Sequence, residues 1–231
     1  MAGILYTIPT PLGGAAAAAL PACVLKTIKT LQHFVVENSK TARAFLKEVG
    51  MPCAIQALDI SVLETDVLPY IKILQEKHSI GLLSEAGCPA IADPGATLVA
   101  AAQSEGIRVV PLVGPSSIVL ALMASGLEGQ RFAFCGYLPR ETDERKRKIR
   151  ELEARSRRER ETQIFIETPY RNDVLLTALL DVSSEKTLLC VATDLTLPDE
   201  QIRTQSIAQW RHARHTIGKR PSVFLLLSAN H

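Results

Sequence analysis

Aromatic residues make up only 5% of the chain, cysteine occurs five times, and acidic and basic side chains nearly cancel at 24 against 26. Each scarcity excludes something. A net charge of +2 is too small to turn the whole surface toward nucleic acid or membrane, so a polyanion would have to meet a local basic patch. Cys23, Cys53, Cys88, Cys135 and Cys190 are odd in number and scattered, without a CxxC pair or a zinc spacing. That pattern predicts a reduced, cytoplasmic protein with no metal site. No run reaches the roughly 18 uninterrupted apolar residues of a membrane span. The apolar N-terminal stretch lacks a basic region ahead of it and is broken by Pro9, Pro11 and Pro21, so it reads as mature fold, with no membrane association. What is abundant is aliphatic: 47% of 231 residues are hydrophobic, enough for the core of one large domain or two small ones.

Familiar catalytic signatures are missing too. There is no GxGxxG dinucleotide fingerprint and no GxxxxGK phosphate loop. Ser116 and Ser117 stand outside any GxSxG elbow, and none of His33, His78, His212, His215 and His231 sits in a motif that would make it a base. His212 and His215 are three apart but lack a third metal ligand.

The hydrophobic pattern is a βαβ rhythm. Strands are predicted at Ile4 to Ile8, His33 to Val36, Ser79 to Leu83 and Arg108 to Leu112, with helices near Leu20 to Thr30, Thr41 to Val49, Val67 to Glu76 and Thr97 to Ser104. Such alternation is usually solved by a largely parallel sheet covered by helices. A helix from about Ser116 to Ser125 closes this half. The pattern restarts at Arg131 to Cys135, continues through a charged helix, and adds strands at Gln163 to Ile166, Thr187 to Val191, Gln201 to Thr204 and Ser222 to Leu227. The boundary is therefore expected in Gly126 to Gln130, giving α/β domains at 1–125 and 131–231.

Four loops follow predicted strands, where open parallel sheets bind ligands. Ser84 to Gly95, SEAGCPAIADPG, is too long and too rich in Gly and Pro for a minimal connection, and reads as a binding loop. Gly114-Pro115-Ser116-Ser117 suits a helix start and could also face a polar ligand atom. Thr7 to Gly14 pairs restrictive prolines with permissive glycines, consistent with close approach to a ligand or with a tight turn. Glu167-Thr168-Pro169-Tyr170-Arg171 gathers a carboxylate, a phenol and a guanidinium at a strand end, although Pro169 could simply begin a helix and Arg171 pair with Glu167. Residues 140–161 hold ten Arg or Lys against seven Asp or Glu, with Ile149 and Leu152 as the only large apolar residues. Two readings stand: a solvated helix or lid, or a phosphate-contacting surface if the cations segregate to one face.

At these loops the sequence resembles the tetrapyrrole (corrin/porphyrin) methylase superfamily of S-adenosylmethionine-dependent methyltransferases, and within it the group that methylates a ribose 2'-hydroxyl of 16S rRNA. The matches are TPLGG, VENSK at 36–40, SEAGCPAIADPG at 84–95, GPSS at 114–117, FCGYLPR at 134–140, ETPYR at 167–171 and ATDLT at 192–196, all in order. The resemblance implies two α/β domains with S-adenosyl-L-methionine in an inter-domain cleft, a homodimer, and 16S rRNA or the small ribosomal subunit as partner. It places cofactor contacts at Ala86, Gly87, Cys88, Ile91, Ser116, Ser117, Glu167, Ala192, Thr193, Pro221 and Ser222. Glu37 and Glu167 become candidate proton acceptors, and Pro11, Lys40, Arg140, Tyr170 and Arg171 candidate substrate contacts. The sequence departs from the group's Glu-Asp-Thr-Arg at Glu37-Asn38-Ser39-Lys40, from its Asp-Ala-Gly-Thr-Pro at Glu85 to Pro89, and from its Asn at Gly14. The group also commonly continues into a small RNA-contacting segment beyond the last strand, whereas this sequence stops at His231. A tetrapyrrole or other small-molecule acceptor, or cofactor binding without rRNA methylation, is the alternative expectation.

Overall fold

The computed structural model describes residues 2–213 and 215–228, so His231 lies outside the described residues. Two compact units divide the chain, 1–116 and 117–231.

The first unit is built on a five-stranded sheet in the order β3-β2-β4-β1-β5, with every pairing parallel. Its strands are β1 (Leu5–Ile8), β2 (His33–Val36), β3 (Asp59–Val62), β4 (Ile80–Leu83) and β5 (Val109–Pro111). The helices are α1 (Ala16–Ala19), α2 (Ala22–Ile28), α3 (Ser39–Val49), α4 (Leu68–Gln75) and α5 (Ala96–Ser104). The central strand β4, Ile-Gly-Leu-Leu, is buried at all four positions, as a strand covered by helices on both faces requires. One core gathers α1, α2 and α3 through Ala16, Val24, Ile28, Phe45, Leu46 and Val49, and a second gathers α4 and α5 through Tyr70, Ile71, Leu74, Leu98 and Ala102.

Helix α3 shows how local sequence sets an element. The Asn38 side chain accepts from the Lys40 and Thr41 amides, and Gly50 ends the helix in the left-handed conformation at φ 76°. Between these caps Ala42, Phe45, Leu46 and Val49 form the buried stripe. The helix expected near Leu20 to Thr30 is α2, and α1 is an additional short helix ahead of it, separated from α2 at Leu20 and Pro21 because Pro21 has no amide hydrogen to continue α1. Strand β3 is an addition to the expected set. It lies at the sheet edge with Asp59 and Val62 exposed, so it carries no long apolar run to announce it.

The second unit comprises α6 (Ser117–Ser125), β6 (Phe132–Tyr137), α7 (Thr142–Glu159), β7 (Thr162–Ile166), α8 (Asn172–Val182), β8 (Leu188–Thr193), β9 (Gln201–Ser206), α9 (Ile207–Ala213) and β10 (Ser222–Leu227). Its sheet runs β6-β7-β10-β8-β9, parallel between β6 and β7 and antiparallel elsewhere. Helix α6 lies against β8, β9 and β10, and the Thr204 hydroxyl donates to the Ser125 carbonyl at 2.6 Å. It therefore belongs to the second unit, ahead of the boundary expected at Gly126 to Gln130. Helix α8 follows the turn at Pro169–Arg171, in line with the reading that Pro169 begins a helix, and α9 is a further addition.

The charged segment is neither a lid nor a fully solvated helix. Helix α7 packs against α8, β7 and β10, with Ile149 and Leu152 inside the core. Its buried polar groups fasten it further: Glu153 accepts from the Ser184 amide at 2.8 Å and from the Thr187 hydroxyl, and Arg145 donates to the Arg140 carbonyl at 2.9 Å. Buried charges of this kind persist where hydrogen bonds satisfy them.

Candidate active site

Because all five strands of the first unit are parallel, the loops after them emerge at the same end. β1 connects leftward to β2 across β4, while β4 connects rightward to β5 across β1. The neighbours β1 and β4 therefore part in opposite directions, which is where such sheets open a ligand crevice. Three loops are clasped there. The Thr10 amide donates to the Gly87 carbonyl at 2.9 Å, and the Gly87 amide returns a bond to the Thr10 carbonyl at 3.0 Å. The Thr10 hydroxyl donates to the Ser84 carbonyl, the Ser84 hydroxyl to the Gly87 carbonyl, and the Cys88 thiol to the Pro115 carbonyl at 3.4 Å. Gly114 permits this approach: a Cβ built on it would lie 2.4 Å from Pro9 Cβ.

The loop after β4 carries unusual backbone. Gly87, Ala90, Ala92 and Gly95 all have positive φ, and for the two alanines, at 66° and 64°, this costs about 1 kcal/mol each. Strain concentrated in a clasped loop at a crevice is typical of functional backbone. Gly87 spends both its amide and its carbonyl on Thr10, so its contribution is loop shape. Ile91 is about half exposed.

Carboxylates gather on the same side. Glu37, immediately after β2, accepts from the Glu85 amide at 3.3 Å, and the Thr41 hydroxyl donates to Glu85 at 3.3 Å. Burial, then the negative charge of Glu37 and more weakly that of Glu85, push Asp93 up to about 6, against an opposing hydrogen bond from Ser84. Burial and the Asp93 charge also raise the Cys88 thiol, which keeps it protonated at neutral pH and unsuited to nucleophilic catalysis. Asp93 lies outside the predicted site residues, because Glu37 is far away along the chain and the only local signal is the Asp-Pro-Gly turn. A pocket of about 270 Å³ adjoins this cluster, lined by Thr10, Pro11, Gly13, Thr41, Phe45 and Glu85 among others.

In the second unit the predicted residues also share one sheet end. Glu167 follows the last residue of β7, Ala192 and Thr193 end β8, and Pro221 directly precedes Ser222, the first residue of β10, with Ser222 paired to Thr193 and Val223 to Ile166. Glu167 is 6% exposed. One of its oxygens accepts from the Thr168 amide at 2.8 Å; the other is buried without a hydrogen bond, with the Arg171 guanidinium 3.4 Å away. Arg171 also donates to the Arg140 carbonyl at 3.5 Å, so these two predicted substrate residues are adjacent, while Tyr170 is exposed and lies under the Lys219 ammonium. Ala192 is fully buried with its backbone in the sheet, which leaves it shape alone to offer. Asn172, absent from the predicted set, organises this end: its side-chain amide donates to the Gly218 and Arg220 carbonyls and to the Ser222 hydroxyl. The ATDLT loop is strained like its counterpart in the first unit, with Asp194 and Thr196 at φ 50° and 71°, and Arg220 holds Asp194 at 2.5 Å.

Ser116 and Ser117 fall on either side of the division between the units. Among the described residues no helix is long and apolar enough to cross a membrane.

Comparison with known proteins agrees with this architecture. The family Tetrapyrrole (Corrin/Porphyrin) Methylases matches residues 16–210. The chain is 33% identical over 208 residues to ribosomal RNA small subunit methyltransferase I of Vibrio cholerae, covering 90% of this chain and 70% of the relative. It is 32% identical over 207 residues to the protein of that name from Escherichia coli O157:H7, with the same coverage of both chains. Among solved structures, the methyltransferase CobJ superposes with a TM-score of 0.65 at 14% identity, covering 99% of this chain and 95% of that one. The uroporphyrin-III-C-methyltransferase of Thermus thermophilus superposes with a TM-score of 0.55 at 16% identity, covering 99% and 93%. At such identities the structures speak for the fold alone. With the family matched across both units, this chain belongs to the tetrapyrrole (corrin/porphyrin) methylase family of methyltransferases.

Proposed function

We propose that the protein transfers a methyl group from S-adenosyl-L-methionine to a ribose 2'-hydroxyl of small-subunit (16S) rRNA, acting as a cytoplasmic homodimer. The observation that carries this reading is the similarity, across nine-tenths of the chain, to proteins named ribosomal RNA small subunit methyltransferase I.

The residues present suit the cofactor. The buried second oxygen of Glu167 accepts no hydrogen bond and has only the ion pair to Arg171 at 3.4 Å, and the ammonium and ribose hydroxyls of S-adenosylmethionine are donors. The cofactor set comprises Ala86, Gly87, Cys88, Ile91, Ser116, Ser117, Glu167, Ala192, Thr193, Pro221 and Ser222. Once bound, S-adenosylmethionine supplies an already electrophilic sulfonium methyl. What the chain must add is placement of the acceptor, exclusion of water and somewhere for the hydroxyl proton to go. Glu37 and Glu167 are candidates for that last role. Asp93 joins them, because a carboxyl raised to about 6 is better matched to proton transfer near neutrality than an ordinary one. Pro11, Lys40, Arg140, Tyr170 and Arg171 are assigned to the acceptor.

The test is to delete the gene, map ribose methylation of small-subunit rRNA, and restore either the gene or a Glu37→Ala version. One mark should vanish on deletion and return with the intact gene. Unchanged methylation after deletion overturns the assignment. Calorimetry with S-adenosylmethionine on the purified protein tests the cofactor separately, with binding weakened at least about tenfold by Glu167→Gln if a charge-assisted contact is lost.

A further inference from the structure

We infer that the outer faces of α2 and α3 form a cationic ridge that holds the phosphodiester backbone of the RNA substrate, beside the 270 Å³ pocket. This rests on the rRNA reading above and adds to it a surface, distinct from the arginine-rich helix α7 to which the charge counts first point.

The two helices spend their charges in opposite ways. On α7, among the described residues, four of the eight cations are in ion pairs, Lys146 with Asp181, Lys148 with Glu151, Arg155 with Glu161 and Arg158 with Glu159, and Arg145 and Arg157 spend hydrogen bonds on the Arg140 carbonyl and on Ser184 and Ser228. Asp143, Glu144 and Glu151 share its exposed side with Arg147 and Arg150. On α3 the exposed cations are Lys40, Arg43 and Lys47, which fall within about 60° of one another at 3.6 residues per turn. Lys26 and Lys29 are exposed three positions apart on α2, which shares its core with α3. The Lys29 ammonium lies 3.8 Å from where a Cβ on Gly50 would stand, so α2 brings its charge to the end of α3. Among the described residues none of the five is in an ion pair. The one acid on α3, Glu48, accepts from the Ala16 amide at 2.5 Å.

Lys29 and Lys47 sit near the carboxyl end of α3, where a cation is favoured by the helix dipole. Lys40 sits in the first turn, where it opposes the dipole by about 0.3–1 kcal/mol, and that turn has no acid and a neutral cap, Asn38. Glu85, which accepts from Thr41 in the same turn, and Glu37 just before the cap supply anions at this end, while along the helix the row from Lys40 to Lys47 presents cations outside any ion pair among the described residues to an external phosphate. The adjoining flank of the same helix, through Thr41, Ala44, Phe45 and Glu48, lines the pocket, so a strand tracked along the ridge passes its mouth.

The test is a salt titration of binding to a fluorescein-labelled 16S rRNA fragment, with the full chain and about 50–300 mM KCl. Each phosphate neutralised contributes about 0.7 to the slope of log K against log salt for a single strand. The variant Lys29→Gln/Arg43→Gln/Lys47→Gln should flatten that slope by about 2 and weaken binding at about 100 mM salt by tenfold or more. The matched variant Arg147→Gln/Arg150→Gln/Arg158→Gln on α7 should leave the slope within about 0.5 of the parent. Circular dichroism and calorimetry with S-adenosylmethionine confirm that both variants are folded. An unchanged slope in the α3 variant overturns the ridge, as does a larger change in the α7 variant or binding to phosphatidylserine vesicles in preference to RNA. Loss of the rRNA methylation assignment is read independently, from the deletion strain.

Discussion

Replacing Asp93 with Asn should stabilise the first unit at neutral pH and do nothing in acid. Burial of the Asp93 carboxyl, then the Glu37 charge and more weakly that of Glu85, raise it from 3.8 to about 6. Raising the carboxyl from 3.8 to about 6 corresponds to a ceiling of about 3 kcal/mol, and because the side chain keeps substantial contact with water, screening reduces the realistic value to about 1 kcal/mol. The sign follows from the proton. An acid whose folded value is raised binds its proton more tightly when folded, so its cost is absent below about pH 4, develops between about pH 4 and pH 6, and is complete above that. The assay is urea unfolding across this range, read through amide signals of β1 and β4. Fluorescence would not serve, because the single tryptophan, Trp210, lies in the second unit. A carbon-13 titration of the carboxyl should place the midpoint near 6 and move it down in Glu37→Gln. A stability difference independent of pH, or a midpoint near the ordinary carboxylate value, would refute the reasoning.

Gly114→Ala would drive a methyl group into Pro9 at 2.4 Å and should cost about 1–3 kcal/mol, measured by thermal unfolding; an unchanged midpoint would mean the loops are not clasped. Glu153→Ala strips the acceptor from the buried Ser184 amide and Thr187 hydroxyl and should destabilise the second unit by about 2 kcal/mol in urea, with no effect on RNA affinity. Asn38→Ala should cost about 1 kcal/mol through the lost cap. Asn38→Asp keeps the cap and adds negative charge at the positive helix end, so it should equal or exceed the parent in stability while weakening RNA binding beside Lys40. If the Asn38→Asp variant kept the parent's salt slope and affinity, Lys40 would not be near a phosphate.

Local sequence was enough to establish the α/β class, the strands β1, β2, β4 and β10, and the loops that carry the candidate site. Those strands are short aliphatic runs bounded by Gly, Pro or polar turns, a pattern set within a few residues and readable locally. The motif loops follow the same logic, since Gly and Pro announce their backbone demands at their own positions. Edge strand β3 escaped, because half-exposure leaves no run to see. Packing had to settle which side α6 joins, since its apolar residues suit either core, and packing turned the arginine-rich α7 into an element seated in the core through Ile149 and Leu152 and fastened by the hydrogen bonds of buried Glu153 and Arg145. The fold also brought Glu37, Glu85 and Asp93 together and left Lys40, Arg43 and Lys47 outside any ion pair among the described residues. Glu37, Glu85 and Asp93 lie far apart along the chain, and a cation's exposure depends on what its helix packs against, so counting cations in a segment says how many there are, and only the fold says which remain to meet a substrate.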